Sequence, residues 1–100
     1  MNLSVIMPAY NEQAGITAAV AEVQQQILDR FAPAELIVVN DGSRDRTGAI
    51  LDDLARQDPR LRIINQANRG HGPAILTGLH AATGDHLFLV DSDQDPPGSF

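Results

Sequence analysis

The sequence predicts an α/β fold, a three-layer sandwich in which helices cover both faces of a mostly parallel sheet. Short apolar runs alternate with amphipathic stretches along the whole chain, in the order β-α-β-α-β-α-β. The apolar runs are continuous, as expected for strands that are buried on both faces. With 100 residues the chain has the size of one small domain, so we treat residues 1–100 as a single unit.

Four apolar runs are the predicted strands, at residues 3–7, 36–39, 61–64 and 86–90. Branched side chains dominate the first of them, which Pro8 closes. The second run ends in a polar turn where Gly42 can adopt a positive φ at little cost. Aromatic residues make up only 4% of the chain, which predicts an aliphatic core.

Three amphipathic stretches join these strands. Residues 14–31 place apolar side chains at three- and four-residue spacing, which predicts a helix that ends before Pro33. Asp45 or Thr47 can cap the second helix. The third helix follows the glycine-rich loop at residues 68–73, and we expect Gly84 to cap its C-terminal end.

Composition excludes several classes of function. The formal net charge of -6 argues against a nucleic-acid partner, because no basic stripe is present to neutralise phosphates. With no cysteine, disulfides and thiolate metal sites are excluded. The first residues lack the pattern of a signal peptide, and no apolar run reaches membrane-spanning length. These features predict a soluble, cytoplasmic chain.

Three carboxylates follow the last apolar run on alternate residues, Asp91, Asp93 and Asp95. Carboxylates this close repel one another, and a hard divalent cation with oxygen ligands would offset that repulsion. An acidic, solvated turn is the alternative interpretation. The loop after the first strand (residues 8–12), the loop after the second (40–43) and these carboxylates should meet at one sheet edge, where parallel sheets bind ligands. That convergence favours the cation site.

The loop after the first strand contains no glycine, so it cannot cradle a pyrophosphate as a dinucleotide-binding turn does. Tyr10 could stack on a base or a sugar, or simply lie half-buried beside the sheet. Glu12 could accept a hydrogen bond from a ligand or favour a helix N-terminus. Asp41 could accept from a base N–H or take part in the turn with Gly42. Arg69 and His71 could contact phosphates or be ordinary surface-loop residues.

The ordered set of motifs resembles the family 2 glycosyltransferases with the GT-A fold. The motifs are Val-Ile-Met-Pro-Ala-Tyr-Asn-Glu at residues 5–12, Val-Val-Asn-Asp-Gly-Ser at 38–43, Asn-Arg-Gly-His-Gly at 68–72 and Val-Asp-Ser-Asp at 90–93. The Asp-Ser-Asp-Gln-Asp-Pro-Pro ending is most similar to the polyprenyl-phosphate branch, which includes dolichyl-phosphate mannose synthase and undecaprenyl-phosphate sugar transferases.

The resemblance implies a nucleotide-diphosphate sugar donor and a set of residues that bind it. The implied metal ligands for Mg²⁺ or Mn²⁺ are Asp91, Asp93 and Asp95. Asp95 stands two residues after Asp93, where the branch usually has glutamine, because this chain is one residue shorter there. The implied substrate-binding residues are Pro8, Ala9, Tyr10, Glu12, Val39, Asp41, Asp91, Ser92 and Asp93.

The resemblance also implies an inverting transfer, with a polyprenyl phosphate as a plausible acceptor. Full-length relatives often work at the cytoplasmic face of a membrane. We therefore interpret the chain as the truncated, nucleotide-binding part of a transferase, with an exposed sheet edge that could pair two copies. The alternatives are a nucleotide- or metal-binding fragment without turnover and, ranked lower, a phosphotransferase of the haloacid-dehalogenase type.

Overall fold

The computed structural model describes residues 2–92 and confirms the predicted order of elements. Four strands alternate with three helices, and the first helix ends in a π-helical segment, here called the π segment. The elements are β1 (Leu3–Ala9), α1 (Ile16–Val23), the π segment (Gln24–Leu28), β2 (Ala34–Asp41), α2 (Thr47–Gln57), β3 (Leu61–Gln66), α3 (His71–Ala81) and β4 (His86–Leu89).

The four strands form one parallel sheet in the order β3-β2-β1-β4. From β1 the chain moves outward through β2 to β3, then crosses back to place β4 on the other side of β1. The strand order therefore reverses between β1 and β4. In open parallel sheets this reversal opens a crevice at the carboxyl ends of the two strands, which is where ligands bind.

Helices cover both faces of the sheet, as the sequence predicts. On one face α1 and α2 pack on Val5, Met7 and Val38, in a cluster that includes Val20 and Leu51. On the other face α3 packs with Ala74 on Ile37 and Val39, and Gly78 lies directly over Ile6. The core is aliphatic because its fully buried side chains come from these valine, leucine, isoleucine and methionine residues.

The helix predicted at residues 14–31 is regular only as far as Val23, after which the π segment continues to Leu28. A π turn closes hydrogen bonds from i to i+5 and so holds more residues per turn than an α turn. Leu28, the last residue of the π segment, belongs to the core cluster on this face and is only 2% exposed. The apolar spacing predicts the helix but not this local change of period.

Gly84 is not the helix cap that the sequence suggests. Helix α3 ends at Ala81, Ala82 is already extended, and the Gly84 N–H donates to the Ser4 hydroxyl at 2.8 Å. A Cβ on Gly84 would lie 2.8 Å from the Ser4 backbone nitrogen. Glycine is needed here because the loop before β4 passes against β1, not because the backbone turns left-handed.

Strand β4 is less buried than a continuous apolar run predicts. Leu87, Phe88 and Leu89 are 48%, 49% and 56% exposed. Among the described residues β4 pairs with β1 alone and forms an edge of the sheet, so one side of each β4 residue has no neighbouring strand. Within residues 2–92, no helix combines the length and the apolar character needed to cross a bilayer.

Candidate functional site

A cavity of about 580 Å³ opens at the carboxyl ends of β1 and β4, where the strand order reverses. The loop after β1 forms one wall and the residues that follow β4 form another. The end of β2, the loop after β3 and the first turn of α3 complete it. It is lined by Pro8, Ala9, Tyr10, Glu12, Asp41, Asn68, Gly70, His71, Ala74, Asp91 and Ser92.

The structure brings most of the candidate residues together at this cavity. Seven of them line its wall, namely Pro8, Ala9, Tyr10, Glu12, Asp41, Asp91 and Ser92. Val39 does not, because it is fully buried in β2 and packs with Ile37 and Ala74. Asp93 and Asp95 lie outside the described residues. Their proposed role as metal ligands stays a prediction.

The Asp41 carboxylate is held by other parts of the chain. It accepts from Gln66 Nε2, from the Arg69 N–H and from the Gly70 N–H, each at 2.9 Å. Burial alone would raise the pKa of Asp41, but these hydrogen bonds from Gln66, Arg69 and Gly70 outweigh burial and lower it. Asp41 is therefore an ionised, 4% exposed group that fixes the loop after β3 against the end of β2.

The loop after β3 is the part of the site whose position the sequence does not predict, although the sequence offers Arg69 and His71 as possible phosphate contacts. The sequence predicts convergence of three loops, those after the first, second and fourth strands. The structure adds a fourth, because Asn68, Gly70 and His71 also line the cavity. Asp41 holds this loop against the end of β2 by accepting hydrogen bonds from two of its backbone N–H groups. The glycine-rich motif at residues 68–72 is the sequence feature that marks this loop. Every residue except proline has a backbone N–H, however, so the sequence does not show which of these groups bind Asp41.

The cavity wall is predominantly acidic. Glu12, Asp41 and Asp91 line it, and His71 is the one basic side chain among its described lining residues. Such a wall repels an anionic ligand unless a cation is bound as well. Asp91 is exposed at the rim and offers the hard oxygen donors that Mg²⁺ and Mn²⁺ prefer. Within residues 2–92 no three acidic or histidine side chains form a metal site, and the other two predicted ligands, Asp93 and Asp95, lie outside this range.

Comparison with known families and proteins finds glycosyltransferases in each case. The family model for "Glycosyl transferase family 2" matches residues 4–98. An uncharacterized glycosyltransferase, EpsJ, of Bacillus subtilis is 41% identical over 91 residues, which cover 91% of this chain and 26% of that protein. Undecaprenyl-phosphate 4-deoxy-4-formamido-L-arabinose transferase of Pseudomonas aeruginosa is 34% identical over 98 residues, which cover 95% of this chain and 29% of that protein.

A solved structure shows the same fold. The mannosyltransferase PcManGT from Pyrobaculum calidifontis, in complex with GDP-Man and Mn²⁺, matches with a TM-score of 0.81 and 30% identity, covering 91% of this chain and 27% of that one. This chain therefore spans between a quarter and a third of the length of these three proteins. The phosphotransferase alternative is wrong, because the family match covers nearly the whole sequence.

Proposed function

Because the chain belongs to glycosyltransferase family 2, we propose that residues 1–100 form the donor-binding part of an inverting glycosyltransferase. The observation that carries this proposal is the position of the cavity. It lies where the strand order reverses between β1 and β4, and it brings together Tyr10, Asp41 and Asp91 from three separate loops. A site of this kind suits an elongated ligand with a flat base at one end and charged groups at the other.

In this proposal the nucleoside lies between the loop after β1 and the end of β2. Tyr10 is 43% exposed and can stack on the base or the ribose. Pro8, Ala9 and Glu12 form the adjoining wall, and Val39 supports it from within the sheet. The Asp41 carboxylate already accepts three N–H donors, so its main contribution is to hold the loop that carries Gly70 and His71.

The diphosphate lies at the β4 end, beside Asp91, Ser92 and Asp93. Mg²⁺ or Mn²⁺ held by Asp91, Asp93 and Asp95 would offset the negative charge that the departing nucleoside diphosphate develops. PcManGT, with Mn²⁺ and GDP-Man in its structure, supports the use of a divalent cation. The acidic wall supports it as well, because Glu12 and Asp41 would otherwise repel a diphosphate.

We propose a lipid phosphate as the acceptor, with the undecaprenyl-phosphate transferase of Pseudomonas aeruginosa as the supporting relative. A phosphate oxygen attacks the anomeric carbon from the face opposite the leaving group. The bond to the nucleoside diphosphate breaks and the configuration inverts. A phosphate acceptor is already anionic at neutral pH, so the reaction needs little help from a general base.

Isothermal titration calorimetry tests the donor site. The chain is titrated with UDP, GDP, UDP-glucose and GDP-mannose, each with and without Mn²⁺. We expect one nucleotide to bind in a metal-dependent manner, and Asp93→Ala to abolish this metal-dependent binding. Asp85→Ala is the matched control, because Asp85 is an exposed carboxylate that lies before β4 instead of after it.

Each outcome of the titration has a meaning. If the titration shows metal-dependent binding but a separate assay shows no sugar transfer to a lipid phosphate, the alternative that these residues act as a binding fragment is supported. Binding of no nucleotide under any condition contradicts the proposal. A loss of binding in Asp85→Ala as large as that in Asp93→Ala would show that the effect is nonspecific.

We also propose that the outer side of β4 pairs with a second copy of the chain. Leu87, Phe88 and Leu89 are about half-exposed along this edge, and an open strand edge is a template for pairing. Static light scattering should then give a dimer mass that falls in Phe88→Lys. A monomer at all concentrations contradicts this pairing.

A further inference from the structure

Two loops at the mouth of the cavity are joined by a reciprocal set of hydrogen bonds, here called the loop interlock. It connects residues 11–13, after β1, to residues 43–47, which lead into α2. None of the polar side chains in the interlock lines the cavity among the described residues. Asn11 and Ser43 belong to the sequence motifs, and Asp45 and Thr47 are the predicted caps of the second helix. The donor site as described above gives none of these four residues a role.

The interlock is reciprocal at its outer end. The Asn11 N–H donates to Ser43 Oγ at 3.0 Å, and the Asn11 side-chain oxygen accepts from the Arg44 N–H at 2.8 Å. Gln13 repeats the pattern, since its side-chain oxygen accepts from the Arg46 N–H at 3.0 Å. Each loop therefore supplies both donors and acceptors, so neither can shift without breaking several bonds at once.

Thr47 is the buried centre of the interlock. Its hydroxyl accepts from the Glu12 N–H at 2.8 Å and donates to Asp45 Oδ1 at 2.5 Å. Thr47 is fully buried, so water cannot replace the hydroxyl if it is removed. The backbone of Glu12, whose side chain lines the cavity, is thus fixed by a residue that does not itself reach the cavity.

The backbone at Asn11 is the second sign that this loop is held in place. Asn11 is left-handed, with φ 51°, and is the one such non-glycine residue in residues 2–92. Asparagine tolerates this region better than most residues, but it is still adopted only where the surroundings impose it. Here the backbone N–H and the side-chain oxygen of Asn11 both form hydrogen bonds with the other loop. The turn at Asn11 sets the directions of its neighbours Tyr10 and Glu12.

We propose that Asn11 and Thr47 are positioning residues of the donor site, which hold Tyr10 and Glu12 at the cavity wall before any ligand binds. The link to the donor rests on the proposed function, but the ordering of the loop does not. A prearranged loop loses little conformational entropy on binding, so the interlock strengthens nucleotide affinity without touching the nucleotide.

The chain provides its own probe of this loop. Tyr10 is the sole tyrosine and there is no tryptophan, so tyrosine fluorescence reports on the loop after β1 alone. In the absence of ligand, we expect Thr47→Val to lower the fluorescence anisotropy of Tyr10 and to increase its quenching by acrylamide. Thr47→Ser keeps the hydroxyl and should restore both values. Asn11→Ala, at an exposed residue, should act in the same direction as Thr47→Val.

Nucleotide affinity is the second readout. The nucleotide that binds wild type with Mn²⁺ should bind Thr47→Val and Asn11→Ala about two- to tenfold more weakly, as expected for one lost hydrogen bond. Thr47→Ser should bind as wild type does. Glu35→Gln is the control for general destabilisation, because Glu35 anchors a hydrogen-bonded network at the amino ends of the strands, away from the cavity. It should lower the unfolding midpoint and leave Tyr10 fluorescence and affinity unchanged.

Circular dichroism establishes whether each variant is folded. If Thr47→Val does not fold, Asn11→Ala provides the test. Unchanged Tyr10 anisotropy and quenching in the folded variants overturns the proposal. An equal change in Glu35→Gln overturns it too. If Tyr10 fluorescence changes as expected but wild type binds no nucleotide, the ordering of the loop is supported and the donor site is contradicted.

Discussion

At the scale of single residues, Asp41 shows how one carboxylate can organise a site. Its three N–H partners come from β3 and the loop that follows. We expect Asp41→Ala to lower the free energy of unfolding by about 1–3 kcal/mol, because Gln66 Nε2 and two backbone N–H groups lose their acceptor. Urea denaturation measures this. Asp52→Ala, an exposed carboxylate on α2, should change it by less than about 0.5 kcal/mol; equal losses would contradict the role given to Asp41.

Glu35 is a second organising carboxylate, near the amino end of β2 and therefore at the end of the sheet away from the cavity. Burial alone would raise its pKa, but hydrogen bonds from Ser4, Thr83 and Arg62 outweigh burial and lower the pKa from 4.5 to about 2. A group whose folded pKa lies below its unfolded pKa stabilises the fold when ionised. The stabilisation by Glu35 should therefore be complete above about pH 5 and be lost as the pH falls towards 2.

Comparison of wild type with Glu35→Gln tests this pH dependence. Glutamine keeps the shape of Glu35 but cannot ionise, so the difference in unfolding free energy should be about 1–3 kcal/mol at pH 7. The difference should shrink steadily between pH 5 and pH 2. Urea unfolding at several pH values measures it. A difference that stays constant over this range would show that Glu35 is not stabilised as an anion.

Residue roles could be predicted from the sequence only in part. The polar types at strand ends identify Tyr10, Glu12 and Asp41 as candidates, and all three line the cavity. The sequence does not reveal that the Asp41 carboxylate is occupied by N–H donors of its own chain. Thr47 is predicted as a possible helix cap, whereas its hydroxyl bonds to the loop after β1. Long-range hydrogen bonds of this kind depend on packing, which local patterns do not encode.

At the scale of elements, the contact of α3 with β1 is unusually close. A Cβ on Gly78 would lie 2.4 Å from Ile6 Cγ2, in the middle of the buried face. Gly78→Ala should therefore push the helix from the sheet and destabilise the fold by about 1–3 kcal/mol, although alanine is the better helix former. Thermal unfolding measures the effect.

Gly72 in the first turn of the same helix is the matched control. A Cβ there would have no heavy atom within 4 Å. Gly72→Ala should be neutral or stabilise by up to about 1 kcal/mol, through helix propensity. If both glycine substitutions have the same effect, the close packing of α3 on Ile6 does not decide the stability of this layer.

Element types and order were predictable because each buried strand is a continuous apolar run and each helix has a regular apolar face. The boundaries of the elements were harder to predict. Strand β2 extends to Ala34 and Asp41, beyond the apolar run at 36–39, because its ends also pair with neighbouring strands. The π segment and the exposure of β4 were missed, since both depend on what surrounds the element in the fold.

At the scale of the whole molecule, the strand order decides where function lies. The order β3-β2-β1-β4 places the loops after β1 and β4 side by side, although about 80 residues separate them in sequence. Periodicity predicts four parallel strands but not which of them are neighbours. The neighbours of each strand come from the structure. The family match confirms the resemblance to glycosyltransferases.

The central claim is that a nucleotide binds in the cavity at the carboxyl ends of β1 and β4. The most direct test is to record amide chemical shifts of the ¹⁵N-labelled chain by NMR during titration with UDP or GDP and diamagnetic Mg²⁺. We predict shifts at Ala9, Tyr10 and Gly70, which line the cavity, and none at Thr83 and Gly84, at the amino ends of the strands. Shifts confined to the amino ends, or no shifts at millimolar nucleotide, would contradict the claim.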